Sequence, residues 1–147
     1  MRHIIWEEYN DMFEYNELLL AHIWQECPVL TYDCGYGEGS ARNDYGYGIG
    51  LAQWNIHIRT PFVGWFNDNY YYRPSNPAYT TEVREAFFKE FPYMATWDGQ
   101  FRFYMVEMQG CYNKFKSMDT CIHRWNSLSP GYLASVKNNI YKIRELL

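Results

Sequence analysis

Glu26 stands at the end of the stretch LLLAHIWQECP, where a carboxyl group and a helix terminus coincide. Pro28 and the glycines beyond it stop any helix shortly after this residue. At about 100° per residue, Glu26 falls within roughly 20–60° of Tyr15, Leu19 and Ile23, along the apolar stripe. A carboxyl held against apolar side chains has its charged form disfavoured, and the negative end of the helix dipole acts in the same direction. Both raise its pKa. A carboxylic acid kept protonated near neutral pH is what a general acid needs to protonate a departing glycosidic oxygen. Glu7, Glu8, Glu14 and Glu17 read as ordinary solvated-face glutamates. Glu38, in CGYGEGSARND, is the rival acid, but it has no helix beneath it and ranks below Glu26. Asp33 and Asp44 share that irregular segment as further carboxylates, with turn formation as their simpler role.

The second constellation is GYGIGLAQWN, residues 46–55. Its glycines do not form a dinucleotide fingerprint, which needs G-x-G-x-x-G between a strand and a helix. They do not form a phosphate loop either, because no Gly-Lys-Ser or Gly-Lys-Thr ending is present. What remains is backbone able to adopt positive φ or to approach a ligand closely, followed by the Gln53 amide, the Trp54 ring and the Asn55 amide. Such a set suits a neutral, hydroxyl-rich ligand such as a sugar. A glycine-rich turn leading into core is the alternative. The third piece is HRWNSLSPGYLASV, in which Asn126 precedes a helix whose early Tyr132 begins an apolar stripe and should point inward or into a cleft.

The elements that must position these residues read mainly as helices, in one domain over residues 1–147. Apolar residues recur with helical period from about Glu7 to Glu26. Residues 28–50 are irregular, with short strands possible at VLTY and YGYG, and a short helix is expected from near Leu51. Thr81 is placed to cap a helix carrying Val83, Phe87 and Phe91, which Pro92 ends. DGQFRFYMVEMQGCYNKF predicts another helix with Phe101, Tyr104, Met105 and Met108 on one side. A last helix is expected with Ser129 as N-cap and Pro130 at its first position, its stripe running Tyr132, Val136, Ile140, Ile143 and Leu147. The fold class is therefore mostly α, with a small irregular or β-like lobe after the first long helix.

Composition narrows the function classes. Aromatic residues make up 20% of the chain, more than a core of this size needs, so some rings are expected on a surface groove. A net charge of −4 argues against nucleic acid as a partner and offers no overall attraction to anionic wall polymers. No apolar run approaches the roughly 20 residues of a membrane span. MRHIIWEEYNDMF holds no apolar leader core, which points to a mature chain or another export route. The four cysteines form no C-x-x-C pair and the histidines at 3, 22, 57 and 123 lack ligand spacing, so no metal site is expected. Cys27–Cys34 and Cys111–Cys121 are the simplest disulfides of three connectivities, with free thiols the alternative. Disulfides would place the protein outside a reducing cytosol.

Taken in order, a helix ending in Glu, a variable segment, a Gly-Leu-x-Gln block and an aromatic-Asn turn before an early Tyr resemble the lysozyme-like superfamily. The nearest branch is that of the lytic transglycosylases and goose-type lysozymes, including phage wall-degrading domains. LLLAHIWQEC resembles the family's A-I-x-x-E-S helix, GIGLAQW its G-x-G-L-x-Q block, and RWNSLSPGYLASV its Y-N-x-G…Y-x-x-x-V close. Cys27 stands where the family often has Ser, Trp125 replaces a Tyr, and the Glu26–Gln53 interval is long. The resemblance implies an α+β lysozyme-like fold and a peptidoglycan glycosidase needing no cofactor. Glu26 would be the acid/base, Tyr132 its helper, and Gly50, Leu51, Gln53, Trp54 and Asn126 would line the sugar subsites. Glycan strands would be the partner, in an extracytoplasmic or phage-associated setting. The alternative is a non-catalytic peptidoglycan-binding or virion-structural module on the same fold.

Overall fold

The structure, a computed structural model, describes residues 14–34, 48–70 and 79–146. Among them the architecture is mostly helical: α1 (Asn16–Glu26), α2 (Val63–Asn69), α3 (Thr81–Glu90), α4 (Trp97–Phe115), α5 (Met118–Trp125), α6 (Tyr132–Asn138) and α7 (Ile140–Leu146). A 3-10 turn at Pro92–Ala95 precedes α4. The only strand-like pairing among these residues is an antiparallel bridge between Ile49 and Trp54. The chain forms two compact units, one from residues 1–25 with 101–147 and the other from residues 26–100.

The first unit is organised by apolar stripes. Leu19, Leu20 and Ile23 of α1 are buried, as are Phe101, Tyr104, Met105 and Met108 of α4, the four residues that the helical period selects. Cys111 and Cys121 are joined, tying the end of α4 to α5 across the Lys116–Ser117 connection. Ser117 caps α5 by accepting from the Thr120 amide at 3.2 Å. The expected last helix differs in two respects. It begins at Tyr132 after Gly131, without a side-chain cap, because Ser129 and Pro130 lie in a turn closed by the Tyr132 amide on the Ser129 carbonyl at 3.1 Å. It also breaks at Asn139, whose buried amide donates to the Ala21 carbonyl at 3.3 Å and to Gln25 Oε1 at 2.9 Å. Val136 and Ile143, on either side of that break, still reach the core.

The second unit packs aromatic rings around α3. Phe62 meets Phe87 and Phe91 edge to face, both at 5.0 Å between centroids, and Trp65 meets Phe91 at 5.6 Å. Thr80, one residue before the expected cap, accepts from the Val83 amide at 3.2 Å. The helix expected near Leu51 is instead a turn, and the helix of this region is α2, twelve residues later. VLTY also folds as turns rather than strand; YGYG lies almost wholly outside the described residues.

Candidate functional site

The helix α1 ends on Glu26, as Pro28 requires, and that residue is 8% exposed. The chain then closes two successive turns, with the Leu30 amide on the Cys27 carbonyl (2.9 Å) and the Cys34 amide on the Thr31 carbonyl (3.2 Å). Cys27 and Cys34, both buried, are disulfide-bonded. The residue after Glu26 is thus covalently held to Cys34, whose carbonyl accepts from the Gly50 amide and from Gln53 Nε2, both at 3.0 Å. The pairing of all four cysteines is the one that their sequence proximity suggests.

The glycine-rich block is a tight reversal between the paired Ile49 and Trp54. Gly50 has φ +85° and Gln53 φ +54°, so two left-handed residues turn the chain. Gln53 donates through its backbone and its side chain to the Gly50 carbonyl, at 3.1 and 2.9 Å. A Cβ on Gly48 would overlap the Gln53 side chain, and one on Gly50 would overlap the Gln100 amide. The glycines are there for two glutamines. Gln100, fully buried, accepts from the Leu51 amide at 2.8 Å and donates to the carbonyls of Tyr32 and Met94, both at 2.6 Å. The buried Arg84 donates to the Gly48 carbonyl (3.0 Å) and the Tyr79 carbonyl (3.2 Å). The carbonyl of Cys34, the turn and the disulfide loop are therefore locked together by side-chain amides and a guanidinium rather than by strands.

Four of the residues expected to line sugar subsites, Gly50, Leu51, Gln53 and Trp54, lie in this reversal. Gly50, Leu51 and Trp54 are buried, Trp54 to 1% exposure, so its ring presents no stacking face, and the Gln53 amide nitrogen is committed to two carbonyls. These residues brace the segment after Glu26. Asp33 is half-buried in the same loop; Glu38 and Asp44 lie outside the described residues. In the other unit, Tyr132 points inward as expected, at 4% exposure. Its ring stands edge-on to His22 at 5.9 Å. Asn126 is exposed at the end of α5, its amide donating to the His123 carbonyl at 3.2 Å.

His22 has no role in any of the sequence motifs. It is fully buried, shares a 2.7 Å hydrogen bond from Nδ1 with the Tyr104 hydroxyl, and meets Trp125 edge to face at 4.9 Å. Nε2 has no hydrogen-bond partner among the described residues. Burial pushes its pKa down to about 3, which keeps the ring neutral. In the second unit His57 Nδ1 hydrogen-bonds the Tyr79 hydroxyl, and burial lowers its pKa too. Among the described residues no group of three His, Cys, Asp or Glu could hold a metal ion, and no helix is long and apolar enough to cross a membrane. Compared with protein-family models, curated proteins and solved structures, the chain matches none.

Proposed function

We propose that the protein cleaves the β-1,4 bond between N-acetylmuramic acid and N-acetylglucosamine in peptidoglycan, with Glu26 as general acid. The observation that carries this reading is the placement of Glu26. It is a buried carboxyl at the C-terminal end of a helix, and the residue after it is disulfide-bonded to Cys34, whose carbonyl is hydrogen-bonded by the block around Gln53. A carboxyl so placed is positioned to act as the acid that protonates a departing glycosidic oxygen. Order in sequence supports the same reading, since the Gly-Leu-x-Gln block is the most specific element of the lysozyme-like resemblance and the helix-end Glu precedes it as in that family.

In the lytic route Glu26 gives its proton to the departing glycosidic oxygen as the C1–O bond breaks. The carboxylate then takes the proton of the muramic acid 6-hydroxyl as that oxygen bonds to C1, leaving a 1,6-anhydro end. A hydrolytic route needs a carboxylate that activates water, and Asp33 is the candidate within the described residues. Two disulfides fit an extracytoplasmic place of action.

The test is digestion of purified peptidoglycan by the parent protein and by Glu26→Gln, with products read by mass spectrometry. Soluble muropeptides from the parent alone are expected, and their ends separate anhydro from hydrolytic chemistry. Full activity in Glu26→Gln would remove Glu26 from the role and turn attention to Glu38. Saturable binding without release at any pH would replace the enzyme by the non-catalytic module.

A further inference from the structure

The chain as a whole is acidic, with 17 Asp and Glu against 13 Lys and Arg. Around the Cys111–Cys121 disulfide the balance reverses. Residues 109–125 carry Lys114, Lys116 and Arg124 against Asp119 alone, and Asp119 is engaged by Lys137 at 2.8 Å. Lys114, Lys116 and Arg124 are all exposed, and among the described residues none of them has a carboxylate partner. Two of them converge on one ring: Arg124 lies 4.5 Å from the Phe115 centroid and Lys114 5.3 Å.

The ordinary reason for cations at a helix end is the dipole, and that accounts for Lys114 in the last turn of α4. It does not account for the others together. Lys116 lies past the helix end with φ +56°, and Arg124 comes from α5, brought back by the disulfide. Like charges gathered without counter-charges repel one another, and an anionic ligand relieves that repulsion.

We infer that this surface binds anionic groups carried on a wall glycan, either phosphodiesters of an attached polymer or carboxylates of the peptidoglycan itself. It rests on the proposed function for the choice of glycan, and it supplies locally the attraction that the net charge denies globally. A long dense polyanion such as a nucleic acid would meet the acidic remainder of the chain, whereas sparse anionic groups need to meet only the patch. Its contribution is electrostatic and exposed, so it is screened over the roughly 8 Å Debye length of physiological salt.

The experiment is co-sedimentation with insoluble, polymer-bearing cell-wall sacculi, in a Glu26→Gln background so that the wall stays intact. Lys116→Glu/Arg124→Glu is compared with the charge-matched Lys89→Glu/Lys142→Glu, all four being exposed positions. The expected result is binding that weakens with salt and falls about tenfold in the patch variant but less than about twofold in the control. Repeating it on sacculi stripped of phosphodiester polymers separates the sources. Loss there assigns the phosphates, and persistence with the same patch dependence assigns the carboxylates. Equal binding by both variants, no binding by the parent, salt-independent binding, or stronger binding to anionic lipid vesicles or RNA would each overturn the inference. Failure of muropeptide release with patch-dependent binding intact would instead remove the catalytic reading and leave this one.

Discussion

Gln53 donates through Nε2 to the Cys34 carbonyl oxygen across 3.0 Å, and Cys34 is bonded through sulfur to the residue that follows Glu26. The Gln53 amide is thus part of the frame behind the proposed acid. Gln53→Leu removes its two side-chain hydrogen bonds while each carbonyl keeps one backbone donor. The expected loss is about 1–2 kcal/mol of stability. Gln53→Glu should cost more, since a carboxylate would face the same two carbonyl oxygens. Urea denaturation of the three proteins checks this; a Leu variant as stable as the parent would show that the two side-chain bonds contribute little.

Gln100 is expected to be the more sensitive position. It is fully buried and serves three backbone groups from three separate segments. Gln100→Leu keeps the volume approximately but strands the Leu51 amide and leaves the Tyr32 and Met94 carbonyls short of a donor. A loss of about 2–4 kcal/mol follows if each buried group costs the usual penalty. Exposed Lys89→Ala should stay within about 0.5 kcal/mol. Comparable midpoints for the two variants would show that the Gln100 bonds contribute little.

Two glycines of α4 should respond to the same substitution with opposite signs. A Cβ on Gly99 would run into the Tyr93 backbone carbonyl, whereas a Cβ on Gly110 meets nothing within 4 Å. Gly110→Ala should gain about 0.5–1 kcal/mol from helix propensity. Gly99→Ala should lose stability despite that gain, because a backbone atom cannot swing aside as a side chain can. Thermal melts of both variants measure it, and stabilisation by Gly99→Ala would refute the close approach.

What was legible in the sequence was periodicity and local chemistry. The stripe Phe101, Tyr104, Met105 and Met108, the end of α1 at Glu26 and the near-neighbour disulfides all follow from spacings of a few residues. Trp54 is ambiguous in the sequence because an indole beside glycines suits a sugar as well as a core, and only long-range packing buries it. Gln100 does leave a trace: it sits four residues before Tyr104 and eight before Met108, a polar side chain on an apolar line. Its partners, Tyr32, Leu51 and Met94, share no local pattern with it. The late start of α6 has a similar origin, since Ser129 and Pro130 fit both a cap and the turn that they form.

His22 should give the protein an acid-sensitive stability. Its pKa is about 3 in the folded chain against an ordinary value near 6.5, because the buried ring cannot easily take a charge. Between those values the unfolded chain binds a proton that the folded chain refuses. The contribution is fully present above about pH 6.5 and is lost as pH falls toward 3, by at most about 1.4 kcal/mol per pH unit. His57, also lowered by burial, acts in the same direction with less burial behind it. His22→Phe removes the titrating group from its cage of Tyr104, Trp125 and Tyr132 while also losing the Tyr104 hydrogen bond. The variant is therefore expected to be less stable at pH 7.5 yet to decline less steeply between pH 6.5 and 4.5. Urea midpoints at half-unit steps decide it: a narrowing gap at low pH supports a neutral buried imidazole, and parallel curves would place the acid sensitivity elsewhere.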